Sequence, residues 1–552
     1  MSKFLYILHR LPPDEGFLAH NKKQISRYHF KMGSSVYRNQ KKEIHIWPEG
    51  SNVEVNEHLN IQTGLSAVTG CNTGFLKIFE PDDDTLKIIG DTSGTRVAWY
   101  YLNEKWLVIS NSQQAIITII GEYEPNEEAW TWMLATGSLG PDLSWDKRIR
   151  TIGPGSWVMF NKKKWELKLY KEQWKFDYAV KTDDAFAKEL EELLIHSSGD
   201  FRFEDAPALL TLSGGYDSRA ALFLLKKSNP AIQTGTWGIS TAFQNPGSDA
   251  AIARRVSEAW KTNHTEYDLQ SKRDFETVLD LVLKYGEGRN DHVNSFMGGI
   301  DMWQTISDKG YKWLVRADEA FGWLPVRTEL DTRTSVAFNF LSDFINIPQP
   351  LVESLPRQNV PQGYFRYNEE PIEDYRDRLY QQYRLPFVIG PLQDIPLSFI
   401  EIINPLLHPK IISFVRTLPP HLRTSKKIYA KWVDKLLPQI PYATIPAIPE
   451  PYQISESANN QQMFLQFFYD QSAKQLFGNE LMKHLQSNWK IKEDSNTTLH
   501  SSWKRRVKNM IPISVKKFLR NRVTGYELKT SSLGLRALIV YRMQEILRSA
   551  SK

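Results

Sequence analysis

The chain has 552 residues, of which 41% are hydrophobic and 24% charged, the composition of an ordinary soluble globular protein with material for two or three domains. Its single cysteine, Cys71, excludes an internal disulfide, a CxxC redox pair and a cysteine-based zinc cluster, and fits a reducing cytoplasm. Net charge is +6, but residues 501–552 alone hold 13 Lys/Arg against two acids, a run that serves either as a solvated helix face or as a surface for an acidic partner.

Met1 to Leu11 is too short in apolar residues for a signal peptide, and no window approaches about 18 uncharged apolar residues, so no membrane span is expected. From Phe75 to Ser110 short β-rich runs alternate with tight connections: FLKIFE, the Asp82-Asp83-Asp84 turn, TLKIIGD, VAWYYL, a turn at Asn103-Glu104, and KWLVIS. That spacing predicts antiparallel hairpins, continued past the Gly153-Pro154-Gly155 turn to about Tyr170.

Near Thr182 the period becomes helical, with Phe186, Leu190, Leu193 and Leu194 following a Thr/Asp cap. Strands and helices then alternate: strand 207–212, helix 218–227, strand 232–237, helix 248–260, strand 264–268, helix 273–285, strand 312–315. This order predicts a parallel sheet with helical crossovers and a domain boundary at about 175–182.

Between the first of these strands and its helix lies Leu212-Ser213-Gly214-Gly215-Tyr216-Asp217-Ser218-Arg219. A glycine turn entering a helix can cradle a pyrophosphate, because backbone N–H groups and the positive end of the helix dipole meet there. Asp217 is placed to hold a metal ion against the phosphates. A Walker loop needs Lys-Ser/Thr after its last glycine, and Ser218-Arg219 departs from that pattern, which disfavours γ-phosphoryl transfer. A second acidic loop, Arg316-Ala317-Asp318-Glu319-Ala320-Phe321-Gly322-Trp323, follows strand 312–315. In an open α/β sheet both loops fall beyond the carboxyl ends of strands, where ligands bind.

SGGYDS resembles the PP-loop of the ATP pyrophosphatases, and the chain is similar over nearly its whole length to the glutamine-dependent asparagine synthetase family. Besides the PP-loop, the likeness rests on ADEAFG at 317–322, on Glu401-Ile402-Ile403-Asn404-Pro405-Leu406-Leu407, on Leu418-Pro419-Pro420 with Ser425-Lys426-Lys427-Ile428-Tyr429, and on Gly90-Asp91 through Tyr101. The resemblance implies an α+β amidotransferase-like (Ntn-type) domain over 1–178. An α/β parallel-sheet, adenine-nucleotide α-hydrolase-like synthetase domain would follow over 179–552, using ATP and Mg2+.

The resemblance also implies roles. Ser213, Gly214, Gly215 and Ser218 would hold pyrophosphate, Asp217 and Asp318 magnesium, and Leu212 with Trp237-Gly238 would border adenine. Lys426 would stabilise the oxyanion formed as an amine attacks the acyl-adenylate, with the register between it and Lys427 open. Glu401 would serve as general base, although Val315 stands where relatives carry its glutamate or tyrosine partner, and Arg316 would bind a carboxylate or phosphate.

The N-terminal half departs from the family. A glutaminase needs a cysteine at position two, and Ser2 stands there; the glutamine-binding runs are also missing. The first domain is therefore expected to keep the fold without glutaminase activity. Members that lack this cysteine, the β-lactam synthetases, carbapenam synthetases and lasso peptide cyclases, join an adenylated carboxylate to an amine of the same molecule. Lasso-type macrolactam formation is the favoured expectation, with a peptide or small-molecule substrate, a precursor peptide and its processing proteins as partners, and no nucleic acid. Amide formation with free ammonia and β-lactam-type cyclisation are the alternatives. A PP-loop tRNA-modifying enzyme is disfavoured by the β-rich first half, and a scaffold with an inert ATP site is the non-enzymatic alternative, separated by titration with Mg-ATP.

Overall fold

The computed structural model describes residues 3–13, 35–47, 53–63, 76–203, 207–269, 273–436, 440–448, 458–489 and 525–552. Ser2, Cys71 and residues 501–524 of the basic segment lie outside the described residues. Two six-stranded antiparallel sheets build the N-terminal part. The first runs Arg150–Ile152, Ala98–Leu102, Trp106–Ser110, Lys3–His9, Lys42–Trp47, Ser35–Arg38. The second runs Glu166–Lys171, Ser156–Asn161, Thr85–Ile89, Leu76–Asp82, Ile61–Thr63, Val53–Val55.

Successive strand side chains point to opposite faces, so one strand can serve two cores. Phe4, Tyr6 and Leu8 share a core with Leu86, Ile88, Val158 and Phe160 of the second sheet. Leu5 and Ile7 join a different core, with Ile116 and Ile117 of helix Gln113–Ile120 and with Trp130 and Met133 of helix Glu127–Thr136. A strand covered on both faces has no polar alternation, which is why Lys3–His9 carries no period-two signal. The hairpins expected between 75 and 110 are present, paired Phe79 to Lys87 and Tyr101 to Val108 among others.

The second half is built on a five-stranded parallel sheet in the order His264–Asp268, Gln233–Gly238, Ala208–Thr211, Trp313–Val315, Glu401–Ile403. One face packs Leu210, Val315 and Ile403 against Leu222, Leu225, Ile252 and Val256. The other packs Leu209, Leu314 and Ile402 against Val278, Phe296, Ile300 and Trp303. The chain leaves Ala208–Thr211 in one direction along the sheet and returns on its other side with Trp313–Val315. That reversal opens a crevice at the carboxyl ends of these two strands, the usual ligand position in such sheets. Thr211 Oγ1 donates to the Val315 carbonyl at 3.1 Å and ties the two strands at this end.

Helix Asp183–Ser198 begins as expected, with the Thr182 hydroxyl accepting from Ala185 N–H. The helix after the glycine turn spans Tyr216–Ser228, two residues earlier than its apolar pattern, because polar Tyr216 and Asp217 already belong to its first turn. Helix Thr530–Ala550 has two faces: Leu533, Leu535, Leu538, Val540, Met543 and Leu547 are buried, and the helix packs on Glu127–Thr136, Gln471–Asn488 and Phe275–Gly286, while Arg548 is exposed together with the flanking Lys529 and Lys552. Arg536 is neutralised inside, donating to Asp291 at 2.7 Å and to the Leu134 and Ala135 carbonyls. Its charge therefore serves the joint between the two halves and not a partner. No helix of the described residues is long and apolar enough to cross a membrane.

Candidate active site

The site forms where three turns converge: 212–215 after Ala208–Thr211, 316–323 after Trp313–Val315, and the turn 424–426 ahead of helix Lys427–Val433. In the first turn Ser213 and Ser218 bind each other through their hydroxyls at 2.9 Å, and Ser218 Oγ also accepts from Ser213 N–H at 3.0 Å. Gly215 caps helix Tyr216–Ser228 in an extended conformation and supplies no side-chain acceptor. The first N–H groups of a helix have no intrahelical partner, so this end presents donors to an anion.

The two glycines differ in role. A Cβ on Gly214 would lie 2.6 Å from the Ala443 Cβ and 3.1 Å from Ile252, whereas one on Gly215 would meet only the Ser213 hydroxyl at 3.4 Å. The Gly214 N–H is already committed to Asp249 Oδ1 at 2.9 Å. Gly214 thus serves close packing inside the protein, and the open face of the loop belongs to Gly215 and the helix end. Asp249 was not among the expected residues and has no local sequence signal.

Segment 440–448 crosses this region. Ala443 N–H donates to the Gly214 carbonyl, Tyr442 stacks on Tyr216 at 3.9 Å, and Ala447 approaches the Gly238 Cα position. Arg219 holds the segment through the Ile440 and Pro441 carbonyls, both at 2.8 Å, with its guanidinium 4.2 Å from the Tyr442 ring. Arg219 therefore anchors protein. On the expected adenine edge the Leu212 N–H donates to Gly235 and the Gly238 carbonyl accepts from Leu269, while Trp237 packs edge-on against Trp303.

The centre is a shared cation. Lys426 Nζ lies 3.0 Å from Asp217 Oδ2 and 2.7 Å from Glu319 Oε1, joining the first and second turns. Lys427, next to it, points to solvent, so the ammonium in the site is that of Lys426. Burial alone would lower the proton affinity of Lys426, but attraction by Glu319 and Asp217 outweighs it and holds the ammonium charged. Burial raises Glu319 to about 7, with the Asp217 charge adding to the rise and Lys426 opposing it. Asp217 is raised too, first by burial and further by Asp318, against the pull of Lys426.

Asp318, expected to share a metal with Asp217, has protein partners of its own. Arg316 reaches it with two nitrogens at 3.0 and 3.1 Å, and Gln393 donates to it at 2.9 Å. The carboxylate facing Asp217 across the lysine is Glu319, which the sequence marked only as the second acid of a pair. Among the described residues no cluster of three or more His, Cys, Asp or Glu is arranged to hold a metal unaided. Two or three carboxylates at the mouth of a phosphate loop nevertheless fit magnesium, which takes one or two protein carboxylates and completes its shell with phosphates and water.

Ser425 and Lys426 both have left-handed backbones, φ 59° and 57°. Left-handed non-glycine residues cost roughly 1–3 kcal/mol each and persist where the surroundings impose them. Here the Ser425 N–H is fixed to the Trp323 carbonyl at 2.9 Å. Gly322, at φ 123°, lets the second turn come so close that a Cβ there would sit 2.2 Å from the Arg423 carbonyl.

Glu401 is set apart from this group. It begins the last strand, paired with Trp313, and its carboxylate is taken by Arg96 from the N-terminal part. Arg96 also donates to the Ile402 carbonyl at 2.9 Å. Both line a small cavity of about 30 Å³ with Arg289, Asp394 and Thr95. The structure thus brings together Ser213, Gly215, Asp217, Ser218 and Lys426, adds Glu319, places Arg316 and Asp318 alongside, and seats Glu401 in the joint between the halves.

Residues 189–358 match the asparagine synthase family, a span that runs from helix Asp183–Ser198 through both acidic turns. A comparison of the chain with curated proteins finds no match.

Proposed function

Residues 189–358 belong to the asparagine synthase family, whose members are ATP-dependent amide-forming ligases, and from that premise we propose that this chain activates a substrate carboxylate as an acyl-adenylate and joins it to an amine. The observation that carries the reading is the Asp217–Lys426–Glu319 arrangement at the mouth of the open helix end. Bound ATP and magnesium would supply the leaving pyrophosphate and the charge that neutralises it. Ser213, Gly215, Ser218 and the first turn of helix Tyr216–Ser228 would hold the phosphates, and Asp217 with Asp318 and Glu319 the magnesium. Leu212, Trp237 and Gly238 would border the base. Lys426 would then face the negative charge that develops as the amine attacks.

The amine is proposed to come from the substrate itself. Ser2 in place of a cysteine supports an N-terminal half of amidotransferase (Ntn) type that makes no ammonia. Glu401 is locked to Arg96, so the family's base position is assigned here to joining the halves. Tethering the amine to the acid can remove roughly 7–11 kcal/mol of barrier, which suits a ring-closing reaction. The finer reading is lasso-type macrolactam formation on a precursor peptide.

Pyrophosphate and AMP release, followed with candidate precursor peptides and with aspartate plus ammonia, tests the proposal. Asp217→Ala is expected to retain the circular dichroism of the parent and to lose AMP formation by about two orders of magnitude or more. Release of ADP instead of AMP with the true substrate would end the proposal.

A pH profile gives a second check. Glu319 binds its proton more tightly in the folded protein than the free side chain does, so the protonated form favours the fold at low pH. That contribution is present below the ordinary carboxylate range and is lost as pH rises through about 7. Metal and lysine need the ionised carboxylate, so binding of magnesium to the free protein should strengthen as pH rises through about 7. Glu319→Gln should flatten that rise; an unchanged rise would assign the titration elsewhere.

A further inference from the structure

Among the described residues, one guanidinium set against the second turn has no hydrogen-bond or ion-pair partner. Arg316 is paired with Asp318, Arg376 with Asp377, Arg378 with Glu370, and Arg423 with Asp374 and Asp377. Arg384 is half-buried, yet among the described residues it makes no hydrogen bond or ion pair, and its Nε is enclosed without an acceptor. Its guanidinium lies 4.9 Å from the Trp323 ring. Burial presses its proton affinity below the usual arginine range, and only Tyr380 and Tyr383 oppose this.

The elements around Arg384 carry groups that touch the centre. Arg384 lies within Tyr380–Ile389, a π-helical stretch containing Pro386, and such stretches recur at functional sites. At the head of that stretch Tyr380 donates to the Glu319 carbonyl at 3.1 Å and packs against Trp323 at 4.7 Å. Just beyond its end Gln393 holds Asp318. Trp323 is fixed by its backbone N–H to Asp377 and by its indole to the Ser335 carbonyl, so the ring that supports the guanidinium does not swing.

A planar fork of donors, held against a ring and left without an acceptor, is suited to one chemical class of ligand, a planar or tetrahedral oxyanion bound through two nitrogens. We propose that Arg384 is a ligand-docking residue that binds an anionic oxygen group, a carboxylate or a phosphate, of the molecules processed at the Asp217–Lys426–Glu319 centre. This rests on the ligase reading of that centre and adds to it a second point of substrate attachment.

Isothermal titration of the full-length protein tests it, with wild type, Arg384→Gln and Arg384→Lys compared. The probes are magnesium pyrophosphate alone, magnesium α,β-methylene-ATP alone, and L-aspartate in the presence of that analogue. Arg384→Gln is expected to weaken at least one probe by about tenfold or more, with Arg384→Lys in between. Loss with aspartate alone identifies a substrate carboxylate as the partner, and loss with pyrophosphate or the analogue identifies a phosphate. Smaller changes with every probe that the wild type binds overturn the proposal while leaving the ligase reading standing. A wild type that fails to bind the analogue overturns both. If Arg384→Gln does not fold, phenylglyoxal labelling of the wild type decides: protection of Arg384 by a probe supports the site, and equal labelling with every probe overturns it.

Discussion

Lys426→Met should slow formation of the amide by about 10²–10³-fold, equivalent to roughly 2.7–4 kcal/mol of transition-state stabilisation, while binding of magnesium α,β-methylene-ATP changes far less. The ammonium stands between Asp217 and Glu319 in a water-poor position, where a fixed charge is worth more than in solvent. In the ground state it is a counter-ion to two carboxylates; in the reaction it meets charge that was not there before. Only the second role gives a loss in turnover that exceeds the loss in nucleotide affinity. Lys427→Met, one residue on and exposed, should leave turnover unchanged. Equal losses in turnover and in nucleotide affinity at Lys426 would reduce it to a structural counter-ion.

What the sequence made legible follows the range of the interactions. The strand, glycine turn and helix around Ser213–Ser218 are contiguous, so the phosphate loop could be placed within two residues of its observed position. Alternation of strand and helix gave the parallel sheet, and the second acidic turn followed from the strand before it. Long-range pairings left no such mark. Asp249 reaches Gly214 across 35 positions and Arg96 reaches Glu401 across 305. Segment 440–448 contains two prolines and no helical or alternating period, and its value lies wholly in the loop it crosses.

The buried charge of Arg536 was illegible for the same reason, because sequence does not reveal that Asp291 and two carbonyls of helix Glu127–Thr136 wait for it. The first strand was hidden by its own burial: FLYIL on a strand covered on both faces looks like any short apolar run.

Arg423→Met should destabilise the protein by about 3–5 kcal/mol, read as a fall in the midpoint of urea or thermal unfolding. Arg423 is fully buried, paired with Asp374 and Asp377, bonded to the Leu418 carbonyl at 2.8 Å, and stacked on Phe176 at 4.0 Å. Removing the cation leaves buried carboxylates with less compensation than before, since Arg376 still reaches Asp377 but, among the described residues, Asp374 keeps only the Tyr178 hydroxyl. Most of the loss is then the cost of that unpaired acid, so adding Asp374→Asn to Arg423→Met should recover part of it. The same residue sets the reaction centre, because Arg423 directly precedes Thr424, Ser425 and Lys426, and its carbonyl is the atom that Gly322 approaches. Without the ion pair the left-handed turn at Ser425 and Lys426 loses one of its walls, and the strain stored there can relax by moving the ammonium. The double variant should therefore regain stability more fully than it regains turnover. Recovery of both in parallel would mean that Arg423 supports the fold alone and that the position of Lys426 is fixed by Trp323 and Gly322 without it.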